Sequence, residues 1–198
     1  TRTRKTEIKY DDHLVIRYTI HQKSKIFTKR GLEFHPEFDI PDQDLVHTLR
    51  ARTIKPDGRS IEIKPGDIKI DYLDKKRAVY RFAFAGVAAG DEVEFLISYS
   101  EEHNYRISDQ FFHSSYPTLR SEICLSFDPG FQITTKGYND VAAPERKRDR
   151  DEISFSWKIE NVDALQAKDR LYKYRDRPYV RFAVKTLRTK SGKRLNIE

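Results

Sequence analysis

Covalent chemistry in this chain would have to start at Cys124, its one thiol. A cysteine nucleophile acts as the thiolate, and it needs a base, a cationic neighbour or a helix start to lower its pKa. Cys124 lies between Ile123 and Leu125 in an extended run, on the face it shares with Glu122 and Ser126. A carboxylate there raises the thiol pKa, and no helix start follows. The residues therefore read Cys124 as structural. A single cysteine also excludes an intramolecular disulfide and every multi-cysteine zinc site.

The other reactive types give weaker patterns. The six histidines (His13, His21, His35, His47, His103, His113) form no HxH, HExxH or His/Cys cluster, so no metal site is expected. Eight glycines are spread singly over turns, and Gly-x-Ser-x-Gly is absent. Neither a phosphate loop nor a nucleophile elbow is present, and no cofactor is expected. Asp11-Asp12 and Glu101-Glu102 are paired carboxylates. Glycosidic chemistry needs two carboxylates across a cleft, and these pairs read as turn and strand-end solvation.

Aromatic side chains make the best case for a binding surface. Tyr105, Phe111, Phe112 and Tyr116 fall in a stretch without period, and Tyr172 and Tyr174 stand in a basic one. Exposed rings of this kind stack on sugars or anchor a partner. The competing reading has Phe111 and Phe112 plugging the edge where the chain crosses between sheets. The Tyr116-Pro117 bond is a candidate for cis geometry.

The elements that must hold these residues are strands. Leu14, Ile16, Tyr18 and Ile20 alternate with polar neighbours, the period of a half-buried strand. Further strands are predicted at Ile26–Phe34, Leu45–Ile54, Arg59–Ile63, Ile68–Tyr72, Ala78–Phe84, Val93–Tyr99 and Ile123–Phe127. Phe131–Tyr138 and Ile153–Ile159 are predicted to pair across the charged loop Asn139–Glu152, and Tyr179–Leu187 is the last strand. Val162–Lys168 alone has helical character. Lys55-Pro56-Asp57-Gly58 is a turn with a reason at each position: Pro56 presets φ, Asp57 bonds its own backbone and Gly58 accepts positive φ. Short strands with turns between them, and no βα alternation, give an all-β antiparallel sandwich with little helix. One domain is expected over 1–187, with a two-lobed division near 113–117 as the alternative, and 188–198 as a basic tail or linker.

Composition agrees with a folded, polar domain. Of 198 residues, 37% are hydrophobic and 35% charged, yet the chain carries twelve Phe, eleven Tyr and one Trp. Each buried Phe contributes about 1.5–3 kcal/mol, enough over a dozen rings to order the chain. Residues 171–198 hold nine Lys or Arg and two acids, a net of +7 that equals the charge of the whole chain. A nucleic-acid-binding fold spreads its basic face across the body, so this terminal excess reads as a solvated end and argues against nucleic acid. No run of about 18 apolar residues exists to span a membrane as a helix. The chain starts at Thr1 without Met, so a signal peptide removed from its front would leave no trace.

Taken in order, Ala51-Arg52-Thr53-Ile54-Lys55-Pro56-Asp57-Gly58, Tyr80-Arg81-Phe82-Ala83-Phe84, Gly90-Asp91-Glu92-Val93-Glu94-Phe95, Phe111-Phe112, Tyr116-Pro117 and the strand Arg120–Phe127 resemble the bacterial domain of unknown function 3857. The resemblance covers about residues 5–187. It implies a broadly immunoglobulin-like β-sandwich, export to the periplasm or envelope of a Gram-negative bacterium, and a Cys-His-Asp transglutaminase-like or protease-like domain downstream. The family brings no catalytic residues to carry over. The expected role is a non-catalytic accessory module whose partner is that downstream domain or an envelope protein. A carbohydrate-binding module is the alternative, with glycan as its partner.

Overall fold

Period-two alternation becomes strand almost wherever it occurs. The computed structural model describes residues 1–33, 37–40, 45–75, 77–102, 107–165, 177–189 and 191–197. Its strands are β1 (Arg2–Asp11), β2 (His13–Lys25), β3 (Glu37–Ile40), β4 (Val46–Ile54), β5 (Ser60–Glu62), β6 (Ile68–Tyr72), β7 (Ala78–Phe82) and β8 (Glu92–Glu102). They continue with β9 (Gln110–Phe111), β10 (Thr118–Phe127), β11 (Phe131–Tyr138), β12 (Glu145–Arg148), β13 (Ile153–Val162), β14 (Tyr179–Arg188) and β15 (Arg194–Asn196). Helical geometry among the described residues is confined to short 3₁₀ turns such as Lys29–Glu33 and Pro65–Asp67. The fold is an all-β sandwich.

The chain divides into two compact units: residues 1–17 with 102–198, and residues 18–101. The cuts fall inside β2 and at the end of β8, and residues 113–117 lie within the first unit.

In the first unit one sheet runs β12-β13-β10-β1. The other has β14 at its centre, with β11 along one side and β9 and β15 at opposite ends of the other. Trp157 of β13 meets Phe182 of β14 at 5.6 Å and joins the two sheets through the core. Ile8, Ile123, Leu125, Val180 and Leu187 of the same unit are buried as well.

In the second unit the sheets are β2-β8-β4-β5 and β3-β7-β6. Phe38 bridges them, 6.3 Å from Phe82 on its own sheet and 5.2 Å from Phe95 on the other. Ile26, Ala51, Phe84 and Val93 complete this cluster, and Ile40, Ala78, Tyr80 and Ile97 form a second one. The Lys55–Gly58 turn forms as predicted. Gly58 has φ 87°, its N–H donates to the Lys55 carbonyl at 2.9 Å, and Lys55 N–H donates to Arg59 O at 2.8 Å.

Several expectations are corrected. Ile26–Phe34 is not a strand: the described part turns through Lys29–Glu33, with Gly31 N–H bonded to Thr28 O where the alternation fails. Phe131–Tyr138 pairs with β14, not with Ile153–Ile159, because β13 has both edges taken by β10 and β12. The loop 139–152 contains β12, and the stretch 188–198 contributes β15. Val162 ends β13 and Ala164 bridges to Ser114, so the described part of Val162–Lys168 is extended. One pairing departs from the antiparallel rule: β1 runs parallel to β10 from Arg2↔Ser121 to Ile8↔Phe127. A parallel pair needs a long connection, and residues 12–117 supply it. Tyr116-Pro117 is trans.

Candidate functional site

Cys124 sits mid-strand on β10, opposite Lys5 on one side and Ser156 on the other. Its thiol donates to Glu122 Oε1 at 3.6 Å. Burial and the Glu122 charge push its pKa up to about 11. A thiol held protonated by burial and a carboxylate, with no imidazole bonded to it among the described residues, is the reverse of an activated nucleophile.

The strongest polar constellation lies in the second unit, on the outer face of its larger sheet. Alternation turns Val93, Phe95, Ala51 and Thr53 inward, which leaves Glu94 and Arg52 on the solvent side. The register sets Arg52 opposite both Glu94 and Glu62. His21 Nε2 meets Glu94 Oε1 at 2.8 Å, and Arg52 Nε donates to Glu94 Oε2 at 2.7 Å. Partial burial works against the Glu94 carboxylate, but the His21 and Arg52 hydrogen bonds and the Arg52 charge outweigh it and hold its pKa below the ordinary glutamate value. These residues line a shallow concavity of ≈730 Å³ together with Leu49, Ile63, Pro65 and Leu96. Both Glu94 oxygens are engaged, Oε1 by the His21 imidazole and Oε2 by the Arg52 guanidinium. The cluster is a cross-strand charge ladder of Glu62, Arg52, Glu94 and His21.

Below it, Lys55 reaches from the turn to Asp91 at 2.7 Å and to the Gly86 carbonyl at 2.6 Å. The Asp91 carboxylate also accepts the Ala88 N–H at 2.7 Å. Its pKa is lowered, first by the Lys55 hydrogen bond. This pair locks two turns together and explains why Lys55 and Asp91 both stand beside turn glycines.

The aromatic candidates are separated by the structure. Phe112 is fully buried. Its carbonyl accepts Ser121 Oγ at 2.9 Å and its N–H donates to Pro178 O at 3.2 Å, so it is the plug at the sheet edge. Phe111 is half-buried and packs at a tilt against Tyr179, ring centres 5.1 Å apart and planes at 32°, on the outer face of the β14 sheet. Tyr116 is exposed in the loop before β10. Tyr105, Tyr172 and Tyr174 lie outside the described residues.

Sequence reasoning missed the neighbours that Phe111 acquires. Tyr138 stacks on the other side of Tyr179 at 4.5 Å and 2°. Arg181 lies 5.4 Å from the Tyr138 ring centre and 5.8 Å from that of Tyr179, while Lys136 lies 4.8 Å from Tyr138. Asp109 accepts two hydrogen bonds from Arg181 at 2.8 and 2.9 Å. The Tyr138 and Tyr179 rings lie face to face, and Phe111 leans on Tyr179 from its neighbouring strand. Sugar stacking needs an open ring face, and the Tyr179 faces are both taken. The strand period marked Tyr138 and Tyr179 as strand residues, but nothing local to either announced their pairing.

His47 bonds Ser100 Oγ at 2.7 Å, and the His113 carbonyl accepts Arg2 Nη1 at 3.1 Å. His35 and His103 lie outside the described residues. Asp12 takes φ 63° in the tight link between β1 and β2, a turn role for that acidic pair. Among the described residues no group of His, Cys, Asp and Glu is arranged to hold a metal, and no helix is long and apolar enough to cross a membrane.

Comparison with known proteins completes the picture. The family profile described as a domain of unknown function with a solved structure (DUF3857) matches residues 16–166. No curated protein matches the chain. Among solved structures, a crystal structure of a candidate protease from Parabacteroides distasonis superposes with TM-score 0.76 at 12% identity, over 91% of this chain. The chain spans 39% of the length of that protein.

Proposed function

The chain belongs to the DUF3857 family, and on that premise we propose that it is a non-catalytic accessory module of a larger exported bacterial protein. Its work is to pack on and position a neighbouring catalytic domain of the transglutaminase-like, Cys-His-Asp type, in the periplasm or envelope of a Gram-negative bacterium. The observation that carries this reading is that the side chains suited to chemistry are spent on the fold. Cys124 is held protonated by burial and by Glu122, and the two Glu94 oxygens are engaged by His21 and Arg52. The fold's place within a chain more than twice its length in the Parabacteroides protein supports the same reading.

The test compares melting of the remainder of the polypeptide with and without residues 1–198. The module's presence should raise the melting temperature of the remainder and merge the two transitions. Two independent transitions, each identical to that of the isolated part, would refute a packing role.

A further inference from the structure

The outer face of the β14 sheet carries cations without the acids that accompany them elsewhere. Strands β11, β14 and β15 and the turn 189–193 contain no Asp or Glu. Lys136, Arg181, Lys185, Arg188, Lys193 and Arg194 are all exposed there. Asp109, from the segment before β9, pairs with Arg181. No carboxylate among the described residues is paired with the other five.

Cross-strand register makes this an exception within the molecule. In the other sheets opposite charges face each other: Arg52 opposite Glu94 and Glu62, Glu37 opposite Arg81, Glu122 opposite Lys158, Arg120 opposite Glu160. Where two cations do meet, at Lys69 and Arg81, Glu37 and Asp71 neutralise Arg81. On the β14 sheet Lys136 stands opposite Arg181, which Asp109 neutralises as Glu37 and Asp71 neutralise Arg81, but Arg188 stands opposite Arg194 with no carboxylate paired to either among the described residues. Like charges directly opposite are destabilising. The fold tolerates one such pair unrelieved, at Arg188 and Arg194, and at Lys136 and Arg181 the Tyr138 ring lies close to both cations.

From this arrangement we propose that the outer face of the β14 sheet is a docking surface for anionic phospholipid headgroups at a membrane surface. The array is two-dimensional. Arg181 to Arg188 spans about 23 Å along the strand, and β11 to β15 spans about 10 Å across it. A gently twisted plane of charge fits a planar array of phosphates better than a single-file one. An acidic peptide cannot add as a strand, because this face presents side chains and not free backbone groups. Single-stranded nucleic acid needs open aromatic faces for stacking, and the Tyr179 faces are covered. With no large exposed apolar residue on this face, attachment is electrostatic and reversible, with each cation worth roughly a fivefold change in partitioning.

The 198-residue chain is sedimented with vesicles of equal parts phosphatidylglycerol and phosphatidylcholine, and with phosphatidylcholine alone. Binding to the anionic vesicles is expected, with none to the neutral ones, and salt of roughly 0.5 M should abolish it. The R188Q/R194Q variant should lose about 25-fold in partitioning and melt at or above the parent, since it relieves a repulsion. K136Q/K185Q gives a second reading from the rest of the face. R59Q/K147Q, which alters exposed cations elsewhere, should bind as the parent does. Absence of vesicle binding, equal binding to neutral vesicles, or indifference to both face variants overturns the proposal. So does binding to polyglutamate or duplex DNA without binding to vesicles.

Discussion

Partial burial alone would push Glu94 towards its protonated form, but His21 at 2.8 Å and Arg52 at 2.7 Å reverse the balance. A carboxylate whose folded pKa is depressed stabilises the fold above its unfolded pKa and loses that contribution as pH falls through the folded value. Glu94→Gln should therefore cost about 1 kcal/mol at neutral pH. The difference from the parent, read by urea denaturation, should fade below the ordinary glutamate pKa of 4.5. Cys124 has the opposite sign. Its folded pKa, near 11, lies above the ordinary 9.0, so the folded state holds the proton that the unfolded state has released. Stability falls between those two values as pH rises, and Cys124→Ser should flatten that part of the profile. Iodoacetamide should alkylate the folded thiol about a hundredfold more slowly at neutral pH than the unfolded one. Equal rates would show that burial and Glu122 do not hold the thiol protonated.

Turns and inter-sheet contacts decide the elements. Gly58 has φ 87° and open space where a Cβ would sit, so Gly58→Ala pays a backbone cost alone, about 1 kcal/mol. Phe182→Ala removes the ring that meets Trp157 across the first unit, and should cost about 3–5 kcal/mol. Both are read from denaturation midpoints. The Lys55–Gly58 turn was legible because each of its residues has a local reason to be there. Alternation likewise placed β4, β7, β8 and β14. β1 was not legible: Ile8 is its one buried aliphatic residue, and Thr6 fills the other buried position, so no apolar period appears. The pairing of β11 with β14 was also hidden, because register between strands some forty residues apart depends on which edges remain free. The candidate surfaces followed the same rule. Phe111 was visible from its own neighbours, whereas its row with Tyr179 and Tyr138, and the ladder of His21, Glu94 and Arg52, exist through register alone.

For the molecule as a whole, the sequence located the charge but not its arrangement. The +7 excess of residues 171–198 reads as a solvated tail in one dimension, and Arg181, Lys185, Arg188 and Arg194 become one side of a sheet when β14 and β15 pair. Each unit closes its own core, through Trp157 and Phe182 in the first and through Phe38, Phe82 and Phe95 in the second. Apolar side chains are thereby consumed in joining sheets, and reactive ones in pairing strands. The proposed accessory role rests on the surface these two cores leave. Calorimetric titration of the 198-residue chain into the separately produced remainder of its polypeptide tests that most directly. The account predicts saturable one-to-one binding that survives Cys124→Ser and Glu94→Gln; a flat titration, or binding abolished by Cys124→Ser in a chain that still folds, would contradict it.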